Sequence, residues 1–274
     1  MELNENTYYT KQSNLEYMSA SQFKDFCKCE KEALAKVNEE YVKEPTKSML
    51  VGSYVDAYFT DDFDKFKAEH PQIFKKEKGQ PTNELLKDYE SANETIENIK
   101  NDKVFMQFIS GKHQVIMIGT ISGIKFKIKI DSLLEDYIVD LKVMESIVEL
   151  YWDTQDGRNV KVDFVEKFGY DIIGAIYQEV VRQNIGRKLP FILAVATKEE
   201  GTDKALIQID QEYLDSALKL VKQKCARFNA IKLGIVEPSE CGQCYVCRKD
   251  KKVQGIVSYK ELFNKEEEQL WMKT

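Results

Sequence analysis

The stretch Ile128-Lys129-Ile130-Asp131-Ser132-Leu133-Leu134-Glu135-Asp136-Tyr137-Ile138-Val139-Asp140-Leu141-Lys142-Val143 concentrates the residue types that metal-assisted chemistry needs. Side chains alternate faces along a strand, so Asp140 and Lys142 share one face while Val139, Leu141 and Val143 point into a core. With Glu135 and Asp136 at the tip of a hairpin, pairing sets Asp131 opposite Asp140, with Cβ atoms about 4.5–5.5 Å apart. Two carboxylates that close repel each other unless a cation or proton lies between them. A hard cation such as Mg²⁺ suits the pair. A neighbouring ammonium can orient water or offset charge on a phosphate. Spacing alone fits an ordinary surface hairpin at least as well, because an i, i+2 Asp/Lys pair is common. The strand–turn–strand setting, with acids and lysine on one side and an apolar opposite face, favours a site.

A second cluster is Cys241-Gly242-Gln243-Cys244-Tyr245-Val246-Cys247, a C-x₂-C-x₂-C run preceded by Pro238. Thiolates at that spacing can wrap one soft metal centre, and three ligands call for a fourth. Zn²⁺ and a [4Fe–4S] cluster both take four thiolates, so the run leaves the two open. The remaining cysteines are Cys27, Cys29 and Cys225, the last on a helical stretch where it reads as core. His70 and His113 are the only histidines and give poor support to a His-centred triad. No P-loop and no G-x-G-x-x-G is present.

The elements that must position these groups can be read from periodicity. A helix is expected from Ser19, with Phe23, Phe26, Cys27, Ala33 and Leu34 at helical spacing, and another over Ser48–Phe59. Residues 60–82, with Pro71, Gly79 and Pro81, read as a loop or small lobe, followed by a polar helix from Asn83 to about Lys100. Gln114–Thr120, Gly123–Leu134 and Tyr137–Val143 read as three consecutive strands. Residues 146–160 read as irregular and Phe164–Asn184 as a helix. Pro190–Thr197 reads as a strand buried on both faces, with Ala205–Ile209 beside it. Gln211–Ala230 and Tyr259–Met272 close the chain as helices. The order predicts an α/β fold with a central mixed sheet and helical additions at both ends.

The 274 residues are 43% apolar and 11% aromatic, enough for a core and against a disordered or collagen-like chain. No apolar run is long enough to span a membrane. The polar, acid-bearing start Met1–Ser19 lacks signal-peptide character, so a cytoplasmic location without a disulfide framework is expected. A net charge of −6 argues against coating nucleic acid by bulk charge, but leaves room for a local basic channel. The clusters Lys75/Lys76/Lys78, Arg182/Arg187/Lys188, Lys222/Lys224/Arg227 and Arg248/Lys249/Lys251/Lys252 read as solvated faces.

Taken in order, these segments resemble the PD-(D/E)xK nuclease superfamily, and within it the RecE-like (exodeoxyribonuclease VIII) and RecB-type exonucleases of phages and prophages. Ser19-Ala-Ser-Gln-Phe-Lys-Asp-Phe-Cys-Lys-Cys29 is similar to the N-terminal S-x-S segment. Gly52-Ser-Tyr-Val-Asp56 stands in the place of the G-x-x-x-H helix, with Asp56 for His. Ile130-Asp131 and Asp140-Leu141-Lys142 match the acid and the (D/E)-x-K. Gly169-Tyr170 to Tyr177 resembles the Y-x-x-Q-x-x-x-Y helix, with Ile173 for Gln. Leu189 to Glu199 resembles the strand that follows.

The resemblance implies one restriction-endonuclease-like domain over residues 1–274. Its nuclease core would span about 48–210, joined through a cysteine metal site to a Cys-bearing helix 19–37 and a segment 211–274. It implies Asp131, Asp140 and Lys142 as the catalytic set. Asp131, Asp140 and Asp56 would be ligands of Mg²⁺ or Mn²⁺, and Lys142 would position the attacking water. It makes Cys29 the fourth partner of Cys241, Cys244 and Cys247, with Cys27 the weaker alternative, and favours [4Fe–4S] over Zn²⁺. The implied activity is metal-dependent exonucleolytic hydrolysis of linear duplex DNA in phage recombination, in the host cytoplasm. The implied partners are a single-strand annealing protein and further copies of the chain. A DNA- or protein-binding module with weak or no hydrolysis is the alternative that Asp56 and Ile173 keep open.

Overall fold

The computed structural model describes residues 3–60, 62–155, 158–253 and 255–258. Three short helices, α1 (Lys11–Glu16), α2 (Ala20–Lys28) and α3 (Glu30–Val37), lead to α4 (Lys47–Phe59) and α5 (Phe63–Glu69). A hairpin of β1 (Phe74–Glu77) and β2 (Gln80–Leu85) precedes α6 (Lys87–Lys100) and α7 (Lys103–Ile109). Three long strands follow: β3 (Lys112–Ile121), β4 (Ile124–Leu133) and β5 (Ile138–Met144). Next come the hairpin β6 (Tyr151–Gln155) and β7 (Arg158–Val162), then α8 (Phe164–Phe168) and α9 (Tyr170–Ile185). β8 (Phe191–Thr197), β9 (Lys204–Gln208), α10 (Gln211–Lys232) and α11 (Tyr245–Lys249) complete the described elements.

The central sheet has the order β3-β4-β5-β8-β9. β5 and β8 run parallel and the other neighbours antiparallel, so the sheet is mixed as the sequence predicts. It separates two cores. Along β8, Phe191, Leu193 and Val195 enter one core, while Ile192, Ala194 and Ala196 enter the other. All seven β8 residues are buried, as a strand covered on both faces requires. α2, α9 and α10 cover the first face, and α4, α6 and α7 the second. α9 lies so close to β8 that a Cβ on Gly174 would stand 2.6 Å from the Phe191 ring.

Several expected elements differ. The single helix 19–37 is two, because Cys29 takes an extended backbone (φ −161°, ψ 112°) that ends α2 and starts α3. The helix over Phe164–Asn184 is broken at Gly169, whose left-handed φ of 63° an L side chain resists. The loop 60–82 contains α5 and the β1–β2 hairpin, whose tip is Lys78 (φ 50°) and Gly79 (φ 84°). Residues 83–85 belong to β2, so the polar helix begins at Lys87. The stretch 146–160 holds most of the β6–β7 hairpin. α7 was not anticipated; it starts where Asp102 accepts the Phe105 N–H at 3.0 Å. The expected helix Tyr259–Met272 lies outside the described residues. Among the described residues, no helix is long and apolar enough to cross a membrane.

Candidate functional site

The β4–β5 hairpin closes as its sequence predicts. The Leu134 N–H meets the Tyr137 carbonyl at 3.0 Å, Leu133 faces Ile138 and Ser132 faces Val139. That register puts Asp131 across from Asp140, but the ladder stops at Ser132 and Val139. Antiparallel alternation would next send the Leu141 N–H to the Ile130 carbonyl. It goes instead to Asp131 Oδ2, at 3.1 Å. The strands therefore part, and the Asp131 carboxylate takes the bond the ladder would have made.

A second irregularity coincides with the first. Phe126, Ile128 and Ile130 face the first core, and so does Leu133, which belongs to the other parity. The alternation of β4 slips around Asp131. Across β3, Gln114 holds a φ of 52°, rare for a residue with a side chain. His113 packs here as well, its Nδ1 lying 3.2 Å from the Asp131 carbonyl.

Lys142 spans the split. Its Nζ lies 2.7 Å from Asp140 Oδ2 and 3.8 Å from Asp131 Oδ2, and it donates to the Leu141 carbonyl at 3.0 Å. Asp140 is only 4% exposed. Its Oδ2 is met by the Lys142 ammonium at 2.7 Å. Asp56, on the inward side of α4, leaves its Oδ1 buried without a donor. Asp56 and Asp131 line one small cavity with Phe59, Thr60, His113 and Leu141.

The electrostatics follow from this crowding. Burial, then the Asp140 charge, pushes the Asp131 carboxyl well above the usual aspartate range. Burial raises Asp56 too, with Lys142 opposing and Asp140 reinforcing the shift. Burial alone would lower Lys142, yet the Asp140 and Asp131 carboxylates reverse this and hold it above the ordinary lysine value. A buried Asp56 oxygen without a donor, with Asp131 on the same cavity and Asp140 across the split, fits a hard cation.

The predicted residues Asp131, Asp140 and Lys142 are thus brought together, with Asp56 facing the same cavity. Other groups surround this set, of which only Lys24 had no signal in the sequence. Lys142 Nζ lies 6.0 Å from the centroid of the Tyr170 ring, whose phenol burial pushes up to about 12. Lys24 donates to the Phe168 carbonyl at 2.7 Å, and burial followed by Lys28 and Lys142 lowers its ammonium to about 8. Tyr177 donates to the Lys129 carbonyl at 2.9 Å, and Ile173 is in the first core. Three of the four basic clusters carry ion pairs: Lys75 with Glu84 and Glu90, Arg182 with Glu179 and Lys188 with Asp215, and Arg227 with Glu30.

At the opposite end of α2, four thiols meet. Cys29, Cys241, Cys244 and Cys247 have sulfurs all within 4.8 Å of one another. Cys29 lies 3.6 Å from Cys247 and 3.7 Å from Cys244, and Cys241 lies 3.9 Å from Cys247. The Cys244 and Gln243 N–H groups donate to Cys241 Sγ at 3.3 and 3.4 Å. They outweigh burial and bring that thiol down to about 7. Cys27 is not in the group, and Cys225 is wholly buried in the first core.

A mixed sheet that splits to bring two aspartates beside a lysine defines a PD-(D/E)xK, restriction-endonuclease-like protein. The chain belongs to that class: residues 19–250 match the family described as PDDEXK-like domain of unknown function (DUF3799). It is similar to the crystal structure of a "putative exonuclease" from Eubacterium rectale, at 42% identity and a TM-score of 0.87, over 96% of this chain and 98% of that one. No curated protein matches it.

Proposed function

We propose that this protein is a divalent-metal-dependent deoxyribonuclease that degrades linear duplex DNA from an end. The observation that carries the reading is the convergence of Asp131, Asp140 and Lys142 where β4 and β5 part. Asp131 and Asp140 would hold the ion, and Asp56, which lines one small cavity with Asp131, is the third carboxylate of the set. A bound ion would lower the pKa of water and offset the charge of the phosphodiester. Lys142, kept charged by its two acids, orients the attacking water and is not a general base. The description of the E. rectale neighbour supports end-directed cleavage. The resemblance to RecE-like enzymes supports a recombination role in which the remaining strand passes to a single-strand annealing protein.

Incubation with linear and circular duplexes in Mg²⁺, with and without EDTA, tests the reading. Digestion of the linear form alone, abolished by EDTA and by Asp140→Asn, is the expected result. Binding without cleavage by the wild-type protein overturns it.

The four thiols form a metal staple in the same proposal. Four sulfurs around one ion at about 2.3 Å stand about 3.8 Å apart in a tetrahedron. The separations of 3.6, 3.7 and 3.9 Å agree with that edge. A cubane interposes its own irons and sulfides and needs thiolates farther apart. This geometry supports a single tetrahedral ion such as Zn²⁺ over the [4Fe–4S] centre that the resemblance favours. Elemental analysis giving one zinc per chain is expected; stoichiometric iron and sulfide would reverse the choice.

A further inference from the structure

Lys125, Lys127 and Lys129 alternate along β4 with the core residues Phe126, Ile128 and Ile130, and Asp131 follows. This row is one to which the carboxylates are joined, and each lysine in it has a different environment. Lys125 pairs with Glu16 at 2.9 Å. Lys127 is 1% exposed and makes no ion pair among the described residues. Its ammonium donates to the Tyr8 carbonyl, to Ser13 Oγ and to Asn14 Oδ1, the last two at 2.8 Å. It also lies 4.7 Å from the centroid of the Tyr8 ring. Burial lowers it to about 8. Met18 fastens the same segment by exchanging backbone bonds of 2.9 Å with Lys125 and Lys127. Lys129 makes no ion pair among the described residues, and its Nζ lies 5.4 Å from the centroid of the Tyr9 ring.

Tyr8 and Tyr9 divide their work. Tyr8 is 6% exposed and anchors the segment on Lys127. Tyr9 stands edge-on to Tyr8, with centroids 4.9 Å apart, and is 69% exposed. Its open ring is not needed for docking, which Tyr8, Ser13, Asn14 and Met18 provide. The ring lies against Lys129, which stands two residues before Asp131 on β4, so it is set toward the carboxylate end of that strand. An open aromatic face beside an unpaired ammonium has the chemistry of a nucleotide: a base stacks on the ring and a phosphate meets the cation.

We infer that Tyr9 and Lys129 form a nucleotide subsite at the rim of the carboxylates, in which Tyr9 stacks the base of an unpaired strand-end nucleotide and Lys129 contacts its phosphate. This rests on the nuclease reading and names the part of the substrate that the site grips.

Binding of a fluorescent single-stranded oligonucleotide is the test, measured in an Asp140→Asn background so that cleavage plays no part. Tyr9→Ala should weaken binding by about five- to one-hundred-fold, the range for loss of one stacked base. Tyr9→Trp should restore most of it, with indole emission quenched by the oligonucleotide. An oligonucleotide abasic at its end should bind the parent and Tyr9→Ala alike. Lys129→Gln should reduce the slope of log affinity against log salt by about 0.7, the value of one single-strand phosphate. With cleavage restored, Tyr9→Ala should raise KM and leave kcat nearly unchanged. Equal oligonucleotide affinity of Tyr9→Ala and its parent overturns the subsite. A wild-type protein that binds through Tyr9 but never cleaves leaves the subsite standing and removes the nuclease reading.

Discussion

The carboxylate centre and the cysteine corner both gather polar groups, and they treat them in opposite ways. At the carboxylate centre, Asp56 Oδ1 is buried without a donor, and Asp131 and Asp56 resist ionisation. At the cysteine corner, Glu30 is 7% exposed, yet Arg227 meets it with bonds of 2.7 and 2.8 Å and the Ser239 N–H with one of 2.8 Å. The Arg227 hydrogen bonds outweigh burial and hold its carboxyl at about 2. An unsatisfied buried polar group costs about 1–3 kcal/mol. The corner avoids that cost and closes residues 218 positions apart in sequence. The centre carries it, as a site kept ready for a charged ligand does.

The contrast breaks most sharply under substitution at the centre. Asp140→Asn and Lys142→Ala should each reduce Mg²⁺-dependent cleavage by about 10²–10³-fold or more, the scale for removing one group that faces developing charge. Initial rates on end-labelled duplex measure it. At the corner, Cys29→Ser and Cys247→Ser should lower Tm by roughly 5–15 °C, with loss of bound metal. Cys27→Ser should change neither.

A smaller effect has the opposite sign. Asp56 has a folded pKa above its ordinary value of 3.8, so the folded state binds more protons and stability falls as pH rises above that value. Asp56→Asn removes the penalty and should stabilise the protein at neutral pH by about 0.5–2 kcal/mol. Melting in EDTA should show the gap over wild type widening as pH rises from 4. Glu30 runs the other way, since its folded pKa of about 2 lies below the ordinary 4.5. Its contribution is present above 4.5 and is lost as pH falls toward 2. Glu30→Gln should therefore melt below wild type at pH 7, and the two should converge in acid.

Much of the centre was legible in sequence because it depends on local periodicity. Asp140 and Lys142 share a face whatever surrounds them, and a two-residue tip at Glu135-Asp136 fixes what opposes Asp131. The apolar run through β8 could only be a strand with both faces covered. What escaped depends on contacts distant in sequence or on unusual backbone. No local signal marks the left-handed φ of Gln114, the slip of β4 at Asp131 or the break at Cys29, which brings its thiol to cysteines more than 200 residues away. The pairing of Tyr151–Gln155 with Arg158–Val162 escaped because neither segment shows a regular apolar alternation. The place of Tyr9 beside Lys129 follows from the grip of Lys127 on Tyr8, which no spacing along the chain encodes.

On the proposed reading Asp131 and Asp140 share one divalent ion. A crystal structure of the protein soaked in Mn²⁺, with anomalous data collected at the manganese edge, would locate that ion. A single strong peak within coordination distance of both carboxylates, lost in Asp140→Asn, is the expected result. A map with no peak there, or with manganese bound only at surface acids, would contradict it.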